Sequence, residues 1–173
     1  MTTDELKALV RDVPDFPHEG IVFKDLMPLI GNAEAFRATV EHLADWAKPR
    51  NPDVILGAEA RGFIFGGALA YELGCGFVPA RKPGKLPWEK IRATYDLEYG
   101  SDSLEIHADA FEKGARVIVL DDVLATGGTA QAKVELVQGL GGDVVGALFV
   151  IELAFLNGRD KLPGTDVHAL IAY

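Results

Sequence analysis

Four aliphatic residues, Val117-Ile118-Val119-Leu120, run directly into two carboxylates, Asp121-Asp122, and then into the small-residue stretch Ala125-Thr126-Gly127-Gly128-Thr129. A strand with no polar position is buried on both faces, which requires a sheet covered by helices on both sides. The glycines mark a turn, and the pattern from about Thr129 to Leu140 is that of a helix opening straight out of it. The rest of the chain repeats this alternation. Asp53–Gly57 reads as a short strand before an apolar helix from Gly62 to Leu73, and Gly76–Arg81, Val144–Glu152 and Asp166–Tyr173 read as further strands. Strands alternating with helices predict an α/β fold with a mostly parallel central sheet flanked by helices. The 173 residues fall within the roughly 100–200 of one domain, so residues 1–173 are expected to form a single unit.

Two regions interrupt the alternation. Thr2-x-x-Glu5 is a capping box for a short first helix, and Asn32 caps a second that carries Phe36, Val40, Leu43 and Ala47. Between them Pro14, Pro17 and Pro28 forbid a continuous helix. The second interruption, Lys82 to His107, holds Pro83, Gly84, Pro87, Trp88 and Gly100, with weak strand patterns at Thr94–Tyr99 and Ser103–His107. Long excursions inside a compact domain are usually functional or disordered. This one is expected to be a mobile lid.

Charge and cysteine usage exclude several classes. With 26 acidic and 17 basic side chains the chain carries a net −9, which disfavours binding to long nucleic acids. No apolar run approaches the ~18 residues of a membrane span. The start, Met1-Thr2-Thr3-Asp4-Glu5, is unlike a secretory signal, so a cytoplasmic protein is expected. Cys75 has no partner thiol. His18, His42, His107 and His168 lack metal-ligand spacing, so no metal held directly by protein ligands is expected. Gly84-Lys85 is not a phosphate-binding P-loop, because Leu86 stands where the hydroxyl residue belongs.

The chemistry concentrates around the acidic pair. Ligands of open α/β sheets bind at the carboxyl ends of strands, which puts Asp121, Asp122 and the following turn on one edge. A turn without bulky side chains lets backbone N–H groups and the Thr126 and Thr129 hydroxyls wrap a phosphate, and the helix N-terminus adds a favourable dipole. Two acids beside a phosphate cup repel it unless the ligand sets hydroxyls or positive charge above them. A ribose diol does so, and a magnesium ion or a cationic transition state would also be welcome there. Arg61 follows the first apolar strand, and five cations (Arg81, Lys82, Lys85, Lys90, Arg92) crowd residues 81–92 with one acid, Glu89. They are the available counter-charges for a small polyanion.

The run Asp121-Asp122-x-x-Ala125-Thr126-Gly127-Gly128-Thr129 resembles the phosphoribosyl-diphosphate signature of the type I phosphoribosyltransferases. Asp15-Phe16-Pro17-x-x-Gly20-Ile21-Val22-Phe23-Lys24-Asp25, Glu59 to Gly66, and Arg81 to Pro87 leading to Tyr95-x-Leu97-Glu98-Tyr99-Gly100 are similar to the adenine-specific family among them. Lys24 departs from the family pattern, where arginine is usual. The resemblance implies that fold, with a small N-terminal hood, and transfer of phosphoribose from phosphoribosyl diphosphate to adenine. It also implies Mg²⁺ bound mainly through phosphoribosyl diphosphate, and a homodimer. Carried over by position, Ala125, Thr126, Gly127, Gly128 and Thr129 hold the 5-phosphate, and Asp121 and Asp122 face the ribose. Arg61, Arg81, Lys82 and Lys85 meet the diphosphate, with Arg61 counted among the catalytic residues. Phe23 and Val123 sandwich the base, whose edge is read by backbone near Val22 and Lys24. Glu98 handles the proton at the purine, with Tyr99 beside it on the lid.

Overall fold

The computed structural model describes residues 1–96 and 101–173. Helix α1 (Thr3–Ala8) opens on the expected reciprocal cap. Glu5 N–H donates to the Thr2 hydroxyl at 3.2 Å and Thr2 N–H to the Glu5 carboxylate at 2.8 Å. Strands β1 (Arg11–Pro14) and β2 (Val22–Asp25) pair antiparallel, with Val13 opposite Phe23. The short α2 (Met27–Ile30) completes an N-terminal hood anchored through the buried Leu6, Leu26 and Leu29. In α3 (Ala33–Ala47) the Asn32 side chain accepts from Glu34 and Ala35 N–H, and Ala35, Thr39, Leu43 and Ala47 form the buried stripe.

The sheet is built from β3 (Val54–Ala58), β4 (Gly76–Ala80), β7 (Arg116–Leu124), β8 (Asp143–Glu152) and β9 (Val167–Ala172). Its order is β4-β3-β7-β8-β9 and every neighbouring pair is parallel. Crossover helices α4 (Arg61–Leu73) and α5 (Gly128–Gly139) return the chain after β3 and β7. Alternate side chains of each strand face opposite layers. Ile55, Ile118 and Leu148 pack with α3 and α4, while Leu56, Val119 and Phe149 pack with α5. The apolar run at 117–120 is buried throughout because both of these layers exist.

From β3 the chain steps outward to β4, and from β7 it steps the other way to β8. The sheet therefore has a topological switch point between β3 and β7, where the two following loops separate and leave a crevice.

Two element boundaries depart from expectation. The strand does not stop at the acidic pair. It continues to Leu124 because β8 offers partners that far, with Asp121 opposite Phe149 and Leu124 opposite Glu152, whereas pairing with β3 ends at Gly57 and Leu120. The carboxylates thus lie within a strand, level with the end of its shorter neighbour. The excursion after β4 carries an antiparallel hairpin, β5 (Lys90–Asp96) and β6 (Ser101–His107), beginning four residues before the weak pattern at Thr94. Lys90, Arg92 and Thr94 obscure its period of two. Ala93, Tyr95, Leu104 and Ile106 nonetheless point inward and join the layer beneath α5.

Candidate active site

A cleft of about 380 Å³ opens at the switch point, a volume suited to a small-molecule ligand. Its floor is the end of β7 and the turn into α5, with Asp121, Asp122, Val123, Ala125, Thr126, Gly127, Gly128 and Thr129 all on the lining. The turn has its shape for a local reason and a distant one. Gly127 takes φ +84°, a left-handed conformation that side chains resist. It also packs directly on Gly158. A Cβ on Gly127 would fall 2.3 Å from the Gly158 carbonyl oxygen, and one on Gly158 would fall 2.2 Å from that of Ala125. The brace is itself fastened. Arg159 grips Glu152 at the end of β8 through two parallel hydrogen bonds of 2.7 and 2.6 Å and donates to the Val167 carbonyl at 2.9 Å. Among the described residues no side chain caps α5, and its first residues, Gly128 to Ala130, lie on the lining.

The acidic pair is not a solvated strand end. Asp122 is ion-paired to the Arg61 Nε from the first turn of α4, whose guanidinium also lies 5.5 Å from the centre of the Phe23 ring. Asp121 accepts from the fully buried Lys133 at 2.8 Å and from Asp122 N–H at 3.1 Å. Burial pushes the Asp121 carboxyl up to about 6. Lys133 pulls it down and Asp122 pushes it further up.

The cations of the 81–85 loop are held by carboxylates of the opposite wall. Glu59, just beyond β3, accepts from Lys85 at 2.7 Å, Lys82 N–H at 2.5 Å and Arg81 at 3.4 Å. Burial alone would raise its carboxyl, but these donors outweigh it and hold Glu59 below the ordinary carboxylate range. Lys82 pairs with Asp102 of β6 and lies near the Tyr95 hydroxyl. Glu105 ties loop to hairpin, accepting from Gly84 N–H at 3.2 Å and Arg92 at 2.6 Å while its backbone bridges to Arg81 in both directions. Of the expected diphosphate ligands, Arg61 and Lys82 line the cleft. Arg81 and Lys85 stand one layer behind, on Glu59.

The hood closes the remaining wall. Val22, Phe23 and Lys24 of β2 line the cleft, and Phe16 meets Phe23 edge-on at 5.2 Å. Among the described residues one edge of β2 is unpaired in the two-stranded sheet, leaving backbone donors and acceptors there. The Lys24 ammonium is engaged by Asp12 at 2.6 Å and lies 4.1 Å from the Tyr173 ring centre, so this strand reaches the site chiefly with its backbone. Glu98 and Tyr99 lie outside the described residues.

Three participants have no role in the sequence reading. Glu59 was visible as an acid immediately after an apolar strand. Lys133 was visible as a charge inside the inward stripe Ala130–Leu136–Val137. Gly158 has no local signal, because its partner is 31 residues earlier in the chain.

A parallel sheet whose switch point holds an acidic pair and a small-residue turn is the architecture of the type I phosphoribosyltransferase class, and the family model of the phosphoribosyl transferase domain matches residues 30–163. The chain is 57% identical over 169 residues to adenine phosphoribosyltransferase of Lactobacillus acidophilus, covering 98% of this chain and 97% of that one. The crystal structure of adenine phosphoribosyltransferase from Thermoanaerobacter pseudethanolicus superposes with a TM-score of 0.97 at 53% identity, covering 99% of this chain and 100% of the other. The Saccharomyces cerevisiae enzyme, complexed with adenine and an imino-altritol bisphosphate, superposes at 0.92 with 45% identity and 97% coverage of both chains. This chain belongs to the adenine phosphoribosyltransferase family.

Proposed function

We propose that the protein transfers the phosphoribosyl group of phosphoribosyl diphosphate to adenine, giving AMP and diphosphate, as a purine-salvage enzyme. The observation that carries this is the joining of the braced Ala125–Thr129 turn, the acidic pair and the Phe23–Val123 walls in one cleft. The turn and the N-terminus of α5 hold the 5-phosphate. Asp121 and Asp122 accept from the ribose hydroxyls. Phe23 and Val123 enclose the adenine ring, and backbone of Val22 and Lys24 reads its edge.

Displacing diphosphate from the anomeric carbon builds positive charge on the ribose ring and negative charge on the leaving group. Positioning and electrostatics suffice for such a step, and no covalent nucleophile is needed. The acidic pair favours the first charge. Arg61, Lys82, Arg81 and Lys85 favour the second, exchanging Asp122, Asp102 and Glu59 for diphosphate oxygens. Glu98 is proposed to manage the purine proton with Tyr99 beside it, as the resemblance implies, and a lid over the site would exclude water that hydrolyses the activated sugar.

Magnesium fits as part of the substrate. Both carboxylates of the pair are engaged by cations. When bound with the substrate, Mg²⁺ would supply positive charge against the leaving group, beside the Arg61 and Lys82 side chains that line the cleft. The protein is further proposed to be a single-domain, cytoplasmic homodimer, as its resemblance and acidic, single-cysteine composition suggest. Among the described residues no helix is long and apolar enough to cross a membrane.

The test is incubation with Mg²⁺, phosphoribosyl diphosphate and each purine separately. AMP formation much faster than that of IMP, GMP or XMP is expected. No nucleotide from any base, in folded protein that binds the sugar phosphate, overturns the transfer reaction; a preference for a 6-oxopurine overturns the choice of adenine.

A further inference from the structure

Helix α5 carries a lysine where its inward stripe is otherwise apolar. Ala130, Leu136 and Val137 pack in the core, and Lys133, three or four positions from each, has no exposed surface at all. Leucine or methionine would fill that place without the cost of desolvating an ammonium, which is large unless a partner answers it. The partners are specific. Lys133 Nζ donates to the Leu120 carbonyl at 2.7 Å and to Asp121 Oδ2 at 2.8 Å. The other Asp121 oxygen accepts from Asp122 N–H and abuts Gly62 at the start of α4, where a Cβ would approach it to 2.8 Å. Asp121 is therefore held on three sides while still lining the cleft.

The charges around it form a balanced set. Asp121 and Asp122 carry two negative charges beside a turn shaped for phosphate, and Lys133 and Arg61 carry two positive ones. The two cations differ in freedom. Arg61 is exposed at the mouth, whereas Lys133 is enclosed beneath the sheet edge and has nowhere else to go.

We propose that Lys133 is a positioning residue of the sugar-phosphate site, holding Asp121 in its cleft-facing rotamer and cancelling its charge so that the acidic pair accepts ribose hydroxyls without repelling the phosphates. This rests on the substrate reading above. When Arg61 turns toward diphosphate, Lys133 remains the fixed counter-charge of the pair. The residue touches no substrate and acts only through Asp121.

A double-mutant cycle tests this, read by calorimetric binding of phosphoribosyl diphosphate with Mg²⁺ and, separately, of adenine. Lys133→Met is expected to weaken binding of the sugar at least tenfold and that of adenine less than twofold. In an Asp121→Asn background the same substitution is expected to change sugar binding less than twofold, because the group it acts through is gone. Equal losses in both backgrounds, or none in either, overturn the proposal. If Lys133→Met alone does not fold, Asp121→Asn and Asp121→Asn/Lys133→Met suffice. Matching affinities support action through Asp121, and a tenfold weaker double variant shows Lys133 acting on the phosphates directly. Because binding is measured, a chain that takes up the sugar but forms no AMP fails only the transfer reading, whereas one that takes up no sugar fails the substrate reading.

Discussion

The two halves of the cleft are made differently. The turn from Ala125 to Thr129 is shaped by backbone. A left-handed glycine, a helix start without a side-chain cap and a direct approach of Gly158 leave almost no alternative geometry. The opposite half is made of side chains. Arg81, Lys82, Lys85 and Arg61 are each held by a carboxylate, and their side chains are a third to a half exposed. A backbone cradle is pre-organised, and needs no rearrangement when an anion arrives. Paired long side chains must change partners, so their gain on binding is only the difference between two sets of contacts. The structure joins a rigid small-residue turn to adjustable cations, which suits the proposed reaction, in which the 5-phosphate stays in place while diphosphate departs.

The sharpest way to break this contrast is to spoil the backbone half. Gly127→Ala forces an alanine into φ +84° with its Cβ against the Gly158 carbonyl. It is expected to lower kcat/KM for phosphoribosyl diphosphate about 100-fold or more, equivalent to roughly 2.7 kcal/mol. Steady-state kinetics at saturating adenine checks this, and a loss under about fivefold would mean that the turn adapts. Arg61→Ala comes next. It removes the charge paired with Asp122 and proposed to meet the diphosphate, with an expected loss in the same quantity of about 30-fold.

Acidity gives the third prediction. With its carboxyl pushed up to about 6, Asp121 takes a proton as the pH falls below that value and, on the proposed reading, loses an acceptor for the ribose. Roughly one pH unit below it, kcat/KM for phosphoribosyl diphosphate is expected to be about tenfold lower. Stability responds in the opposite sense. A folded value above the ordinary 3.8 means that this group's contribution is full below 3.8 and is lost as the pH rises through about 6. Glu59, Glu105 and Glu152 are held below 4.5, so their contributions persist above it and are lost only as the pH falls through their lowered values. Activity should therefore fade from pH 7 to roughly pH 5 without a fall in Tm from these groups. A Tm that falls in step with activity would tie the loss to unfolding rather than to Asp121. The smallest effect belongs to the side-chain half. Lys85→Ala removes a half-exposed cation one layer back from the lining, for an expected loss of about threefold. A loss matching that of Gly127→Ala would erase the distinction between the halves.

Legibility in the sequence followed the same division. The strand–turn–helix unit, the capping box at Thr2 and Glu5 and the Asn32 cap are each written within a few neighbouring residues and appear as read, except that the strand runs four residues further, to Leu124. The β5 start was hidden because Lys90, Arg92 and Thr94 alternate with its inward residues and dilute the apolar signal. The cations were visible, but their present partners were not. Arg61 lies 61 positions from Asp122, and Lys85 lies 26 from Glu59.

By itself the sequence determined the local shapes: a fully apolar strand, a turn that only small residues can make, and the capped starts of α1 and α3. Those choices depend on dihedral preferences and on side-chain periods of two or 3.6 residues. The tertiary structure decided which charges meet. Bringing β3 beside β7 places α4 against the acidic pair, which gives Asp122 to Arg61 and leaves Asp121 to Lys133. The segment after β8 returns to set Gly158 under the turn. Electrostatics and close backbone packing depend on distance in space. Separation along the chain does not reveal that distance until the sheet is ordered.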